Sequence, residues 1–281
     1  MMPRIENEFA VVEVTTKAAE ITSFYDKEKK IEHMWQGDPA FWSGRNPTLF
    51  PIVGNTWSKE YQIDGKTYKM GNHGFARHSE FTVEEVTEDT IVLSLSDSEE
   101  TRAQYPFEFK MTISYQLTGK KLTITYRIDN HSPRMMPFNF GLHPAFNCPM
   151  EQGERFQDYK VVFACPETQT CVAADAKLCL NNEKEMALDY ATFSSIPTII
   201  LEHVKSPYVT LTNGKNSVTV SCAGYRWLAF WTKQNAPYLC IEPWHSHGDF
   251  EEVNVPFEER EGTLHLEKDG SFTTAYTIEI A

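Results

Sequence analysis

Two polar side chains in this 281-residue chain stand immediately before prolines, each at the end of a strand-like run. One is His143, in Phe140-Gly141-Leu142-His143-Pro144-Ala145-Phe146; the other is Glu242, in Tyr238-Leu239-Cys240-Ile241-Glu242-Pro243-Trp244. Proline steers the residue before it away from helical and toward extended backbone. Both side chains are therefore expected on rigid extended chain, as an acid/base pair requires. A third segment, Asn72-His73-Gly74-Phe75-Ala76-Arg77-His78, offers the donors His73 and Arg77 around a glycine that permits a bend. Arginine presents a planar fork suited to hydroxyl, carboxylate or phosphate oxygens. In fully extended chain the two Cα atoms would lie about 13 Å apart, so the pair would grip different parts of a substrate unless Gly74 bends the backbone.

Side-chain parity divides these runs into faces. Phe138, Phe140 and Leu142 share one face of the first strand and read as core. Asn139, Gly141 and His143 share the other, where the glycine gap leaves room for a ligand on the sheet. The plain alternative is a half-exposed strand with incidental polar residues. In the second strand Cys240, Glu242 and Trp244 share a face, and a carboxylate placed between cysteine and tryptophan needs a partner if it is buried. That partner is either a catalytic imidazole or a structural cation. Trp244 serves either as a stacking platform or as core. His73 and Arg77 admit a simpler reading too, as a cation pair on a surface strand. His245-Ser246-His247 puts two rings on one side of a strand, with Asp249 as a possible third metal ligand. No further His or Cys completes that set at a matching spacing, so the segment reads as a loop beside the site.

The elements that must position these groups are strands. Period-two alternation runs through Glu80 to Val86, Thr90 to Leu95, Phe107 to Leu117 and Lys121 to Ile128, and it predicts half-buried strands. Asp64-Gly65 and Asn213-Gly214 supply the positive φ angles of tight hairpins. Short helical turns are expected near Asp38 to Gly44, Asp97 to Gln104 and Asp189 to Phe193. With no linker and no internal repeat, the pattern predicts one largely antiparallel sandwich or barrel domain over residues 1–281.

Composition narrows the partners. A net charge of −13 disfavours nucleic acid and anionic membrane surfaces, which call for clustered Lys and Arg. The first residues lack a signal-peptide core, and no apolar run reaches the length of a membrane span. The six cysteines show no CxxC spacing and are expected as reduced, mostly buried thiols of a cytoplasmic protein.

His-Gly-Phe-Ala-Arg at 73–77, Phe-Gly-Leu-His-Pro-Ala-Phe at 140–146 and Cys-Ile-Glu-Pro-Trp at 240–244 together resemble the signature of the aldose 1-epimerases (mutarotases), in particular the LacX-like branch. Asn46 to Gly54 and Tyr105 to Phe109 are similar as well, and the order of the motifs carries the resemblance over nearly the whole chain. It implies an all-β, galactose-mutarotase-like β-supersandwich with few short helices and the site on the concave face of a large sheet. It implies His143 as general acid, Glu242 as general base, and His73 and Arg77 as sugar holders. Where relatives carry Arg after Gly54 this chain has Asn55, so a sugar contact is lost or is supplied by Arg45. Trp244 completes the expected contacts.

The chemistry fits those residue types. Interconverting the α and β anomers of an aldose needs a base for the C1 hydroxyl proton and an acid for the ring oxygen, with neither metal nor redox cofactor. A glutamate near its usual value of about 4.3 is ionised at neutral pH, and a histidine near about 6.5 can carry the proton. A glycosidase would need two carboxylates across the bond, and this constellation shows one. The expected ligand is a monosaccharide such as galactose or glucose, bound by a monomer or homodimer. A hexose 6-phosphate would call for a cationic pocket from Arg77, Arg45, Lys59 or Arg226. A sugar-binding module that lost turnover would have no use for the acid/base pair.

Overall fold

The computed structural model describes residues 2–173, 175 and 177–281. Its largest unit is an antiparallel nine-stranded sheet, built on the long hairpin of strands Phe109–Thr118 and Lys121–Asn130. Alternate residues of the first strand, Phe109, Met111, Ile113, Tyr115 and Leu117, are buried while their neighbours face outward. This is the pleat expected of a sheet with one face in a core. Each such large apolar side chain contributes roughly 1.5–3 kcal/mol on burial.

A six-stranded sheet packs over this one, in the order Thr198–Glu202, Trp227–Trp231, Tyr238–Trp244, Gly141–Leu142 and Thr48–Leu49, with Ala145–Asn147 also on Tyr238–Trp244. Phe163 meets Phe230, Tyr126 meets Phe140, and Phe272 meets both Phe138 and Phe140 across the interface. The central strand Tyr238–Trp244 is buried along its whole length. One of its faces (Leu239, Ile241) joins the main core, so Cys240, Glu242 and Trp244 project from the opposite face. The expected phenylalanine core face of residues 138–142 is present, although the chain breaks into Met136–Phe138 and Gly141–Leu142.

The Asp64-Gly65 turn closes a two-residue hairpin between Glu60–Ile63 and Lys66–Lys69, with φ of 51° and 71°. Asn213-Gly214 differs. It opens a four-residue loop, because Thr212 pairs with Ser217 and the Asn213 side chain accepts from the backbone N–H groups of Lys215 and Asn216. The local side-chain bonds of asparagine compete here with the tight turn. Two of the expected helical turns form short helices, Glu99–Gln104 behind the cap Ser98 and Tyr190–Ser195 behind Asp189. The third, at Asp38, stops after one turn held by Phe41 and Trp42 N–H donating to the Asp38 carbonyl. No helix among the described residues is long and apolar enough to cross a membrane. All six cysteines are free, four of them buried and Cys165 and Cys179 half-buried.

Candidate active site

Strand register brings the two pre-proline residues together. Gly141 lies opposite Trp244 and Ala145 opposite Cys240, and the same antiparallel register sets His143 opposite Glu242. Directly opposed side chains on one face of such a pair lie close enough to interact. His143 Nε2 is 3.5 Å from Glu242 Oε2, with the two side chains 9% and 1% exposed. Across the other strand edge Glu242 faces Ala229, whose methyl group leaves space for the carboxylate. Trp42 lies against the His143 ring at 4.9 Å with the two planes tilted by 31°, and Trp231 meets it edge-on at 5.6 Å.

His143 and Glu242 lie in the wall of a cavity of about 490 Å³, together with His73, Arg77, Asn55, Asn72, Trp42, Trp231, Trp244 and residues of the 248–250 loop. This is within the usual range for small-molecule sites. The cavity opens on the outer face of the six-stranded sheet, away from the nine-stranded one.

His73 and Arg77 reach one cavity because the backbone between them is bent. His73 and Gly74 have φ of 63° and 72°, and a short 3-10 turn covers Ala76–His78. A Cβ on Gly74 would lie 2.2 Å from the Phe50 carbonyl oxygen, so close passage of the two chains requires glycine. Phe75 anchors the bend among Phe50, Tyr105 and Phe109, which explains the aromatic residues of the 46–54 and 105–109 segments. The Gly54 N–H donates to His73 Nδ1 at 2.9 Å, while His73 N–H donates to the Gly54 carbonyl at 2.7 Å. A ring nitrogen that accepts carries no proton, so His73 is neutral with its proton on Nε2. Burial and the nearby Arg77 guanidinium push its pKa down to about 3, in agreement.

The charge states of the central pair differ from the simple expectation. Burial drives Glu242 well above the ordinary carboxylate range. The Trp244 indole N–H, which donates to the Leu142 carbonyl, and Arg77 oppose that shift only in part. Burial, with His73 and Arg77 adding to it, drives His143 well below the ordinary imidazole value. Desolvation penalises whichever form is charged. An ionised glutamate beside a ready imidazolium is thus not the favoured arrangement; one proton held on the carboxyl, with neutral imidazole, is. Arg77 is itself pulled down by burial, while Glu20 and Glu242 hold it up.

Three further placements, those of Gly141, Arg45 and Asn139, depart from the sequence reading. The gap at Gly141 is filled by protein, since a Cβ there would lie 2.7 Å from Trp244 Cδ1 and 3.0 Å from Val53 Cγ2. Arg45 does not line the cavity; its guanidinium packs against Gly37 and its Nε is buried without a partner. It is therefore not placed to take over the sugar contact expected at position 55, while Asn55 itself is exposed in the cavity wall. His245 and His247 are drawn to separate partners, Thr274 and the Gly248 carbonyl, and only the following Gly248, Asp249 and Phe250 meet the cavity. Asn139 stays outside, its amide donating to the His247 carbonyl.

Sequence reasoning missed Trp42, Trp231, Lys233 and Glu20, and it named Asp249 only as a possible third metal ligand. Glu20 is a buried carboxylate that accepts from the Arg45 and Asn46 N–H groups at 2.8 and 3.0 Å. Asp249 accepts from the Trp57 N–H and from Arg260, tying the cavity mouth together. For Trp231 strand parity offered a signal, because it pairs with Cys240 two places from Ala229.

A β-supersandwich with a buried His/Glu pair beneath a polar pocket defines the class, and comparison with known proteins agrees. Residues 2–266 match the aldose 1-epimerase family, to which the chain belongs. It is 33% identical to the chromosomal LacX protein of Lactococcus lactis subsp. lactis, covering 100% of this chain and 99% of that protein. The crystal structure of a galactose mutarotase related enzyme from Lactobacillus acidophilus superimposes with a TM-score of 0.91 at 32% identity, covering 100% and 97% of the two chains. A galactose mutarotase-like protein from Lactobacillus casei gives 0.89 at 25% identity over the whole of both chains.

Proposed function

We propose that this protein is an aldose 1-epimerase that interconverts the anomers of a free hexose, galactose or glucose, by acid/base ring opening and closure. The observation that carries the reading is the buried His143–Glu242 pair, 3.5 Å apart in the cavity wall. Glu242 takes the proton of the C1 hydroxyl while His143 gives one to the ring oxygen. The C1–ring-oxygen bond breaks, the open-chain aldehyde turns about C1–C2, and closure on the other face reverses both transfers. The working imidazolium–carboxylate form carries the same number of protons as the neutral pair that burial favours. One proton moving between Oε2 and Nε2 converts them, so no proton need be drawn from solvent. Arg77 favours the carboxylate side of that exchange. Neutral His73 offers an Nε2–H to a sugar oxygen and holds the ring in register with its partners.

Trp42 and Trp231 flank the imidazole, and Trp244 gives the sugar an apolar face. Of the cations considered for a phosphorylated substrate, Arg226 is held by Glu202 and Glu261, and neither Arg45 nor Lys59 lines the cavity. Arg77 and Lys233 do. The reading is for a free sugar, and comparing glucose with glucose 6-phosphate tests it against the phosphate that these two cations could hold.

Polarimetry of freshly dissolved α-glucose or α-galactose will relax faster with the protein present. Glu242→Gln and His143→Asn will each lower the catalysed rate by about 10²–10⁴-fold. Full activity in either variant sinks the assignment.

A further inference from the structure

Cys240 has no part in that mechanism, yet it shares a sheet face with Glu242 because the two are separated by one residue on a strand. Its sulfur, a His143 ring nitrogen and a Glu242 carboxylate oxygen lie within 4.8 Å of one another, and all three residues are buried. Glu242 Oε2 is buried without a hydrogen-bond partner. We propose that Cys240, His143 and Glu242 form a three-ligand site for a thiophilic divalent cation of the zinc class, and that its occupation switches the acid/base pair off.

Three features argue for the site. The first is geometric. Ligand atoms held at about 2.0–2.3 Å around a tetrahedral zinc are spaced about 3.5 Å apart. The nitrogen–oxygen edge already has that length, at 3.5 Å, so only the sulfur must close in. The second is ligand chemistry. A thiolate with an imidazole selects zinc, cadmium or cobalt over magnesium or calcium, which take oxygen ligands. The third is charge. One thiolate and one carboxylate neutralise a divalent cation, and a buried cluster of no net charge avoids the cost of burying an isolated ion. The thiol proton and the carboxyl proton leave to solvent as the metal enters, with no change of oxidation state. Three protein ligands leave the fourth position toward the cavity, where His143 and Glu242 would otherwise meet the sugar.

The inhibitory consequence rests on the function proposed above; metal binding does not, and the two are measured separately. Titration of the full-length protein with Co²⁺ alone is expected to produce thiolate-to-cobalt charge-transfer absorption saturating at one ion per chain. Cys240→Ala abolishes that absorption, and His143→Asn weakens binding by about tenfold or more, since losing a direct ligand exceeds losing an outer partner. In polarimetry, Zn²⁺ suppresses the catalysed relaxation of the unsubstituted protein, whereas Cys240→Ala keeps its basal rate and loses the zinc sensitivity. If Cys240→Ala does not fold, the cobalt spectrum of the unsubstituted protein and of His143→Asn decides the matter. Absence of thiolate charge transfer, absorption unchanged in either variant, or equal zinc inhibition with and without Cys240 overturns the proposal. Lack of catalysed mutarotation alongside a cobalt spectrum that depends on Cys240 overturns the functional reading and leaves the metal site standing.

Discussion

At the scale of single residues, burial decides how the proposed pair works. His143 and Glu242 exchange one proton between them, and adding a second requires charging an imidazole in a dry wall next to His73 and Arg77. Activity is lost when the pair gains that second proton as pH falls. Because the His143 value is depressed, the acid limb of kcat/KM is expected below the ordinary imidazole value of about 6.5, leaving the profile flat as pH falls from 7.5 to that point. A rate profile measured across that range checks this, and a clear inflection at about 6.5 contradicts it. Residue types and the proline rule made both members of this pair legible in the sequence. Their charge states were not, because those depend on burial by Trp42, Trp231 and Ala229, which only the folded chain packs around the pair.

At the scale of elements, alternation and turn chemistry were legible wherever a strand has one face in the core. The hairpin of Phe109–Thr118 and Lys121–Asn130 is an example. Period two says nothing of a strand buried on both faces, and Tyr238–Trp244 is one. Nor does it report a bend set by positive φ at His73 and Gly74. The glycine there is needed for space as well as for backbone angle, and this yields a test. Gly74→Ala places a methyl group against the Phe50 carbonyl and imposes a left-handed conformation worth about 1–3 kcal/mol. Urea unfolding should show at least that loss, with a raised KM as His73 leaves its clamp on Gly54. Gly71→Ala meets nothing within 4 Å and should stay within about 0.5 kcal/mol of the parent. Equal stability and KM for the two variants would show that the bend does not position the site.

At the scale of the whole molecule, the pattern of buried histidines predicts how the protein responds to acid. His33 is fully buried with neither ring nitrogen partnered, and burial lowers its pKa to about 4. Burial likewise lowers His245 to about 4, burial with Arg77 lowers His73 to about 3, and His143 is depressed in the same direction. A depressed folded value means that the folded chain binds fewer protons than the unfolded chain. The stabilisation from each such group is therefore complete above about 6.5 and is lost as pH falls toward its folded value. Glu242 and Glu32, both raised by burial, work in the opposite sense as pH rises above the usual carboxylate range. The four histidines outnumber them. Urea-unfolding free energy should accordingly fall between pH 6.5 and 4.5, the two raised carboxyls only moderating the slope. His33→Leu isolates one contributor that does not line the cavity, and a shift of this size is worth on the order of 3 kcal/mol at most. That variant should show a shallower loss over the same interval with mutarotation at pH 7.5 intact. A slope unchanged by His33→Leu would mean that its ring is hydrated or paired in solution, and that acid sensitivity resides in the site histidines instead.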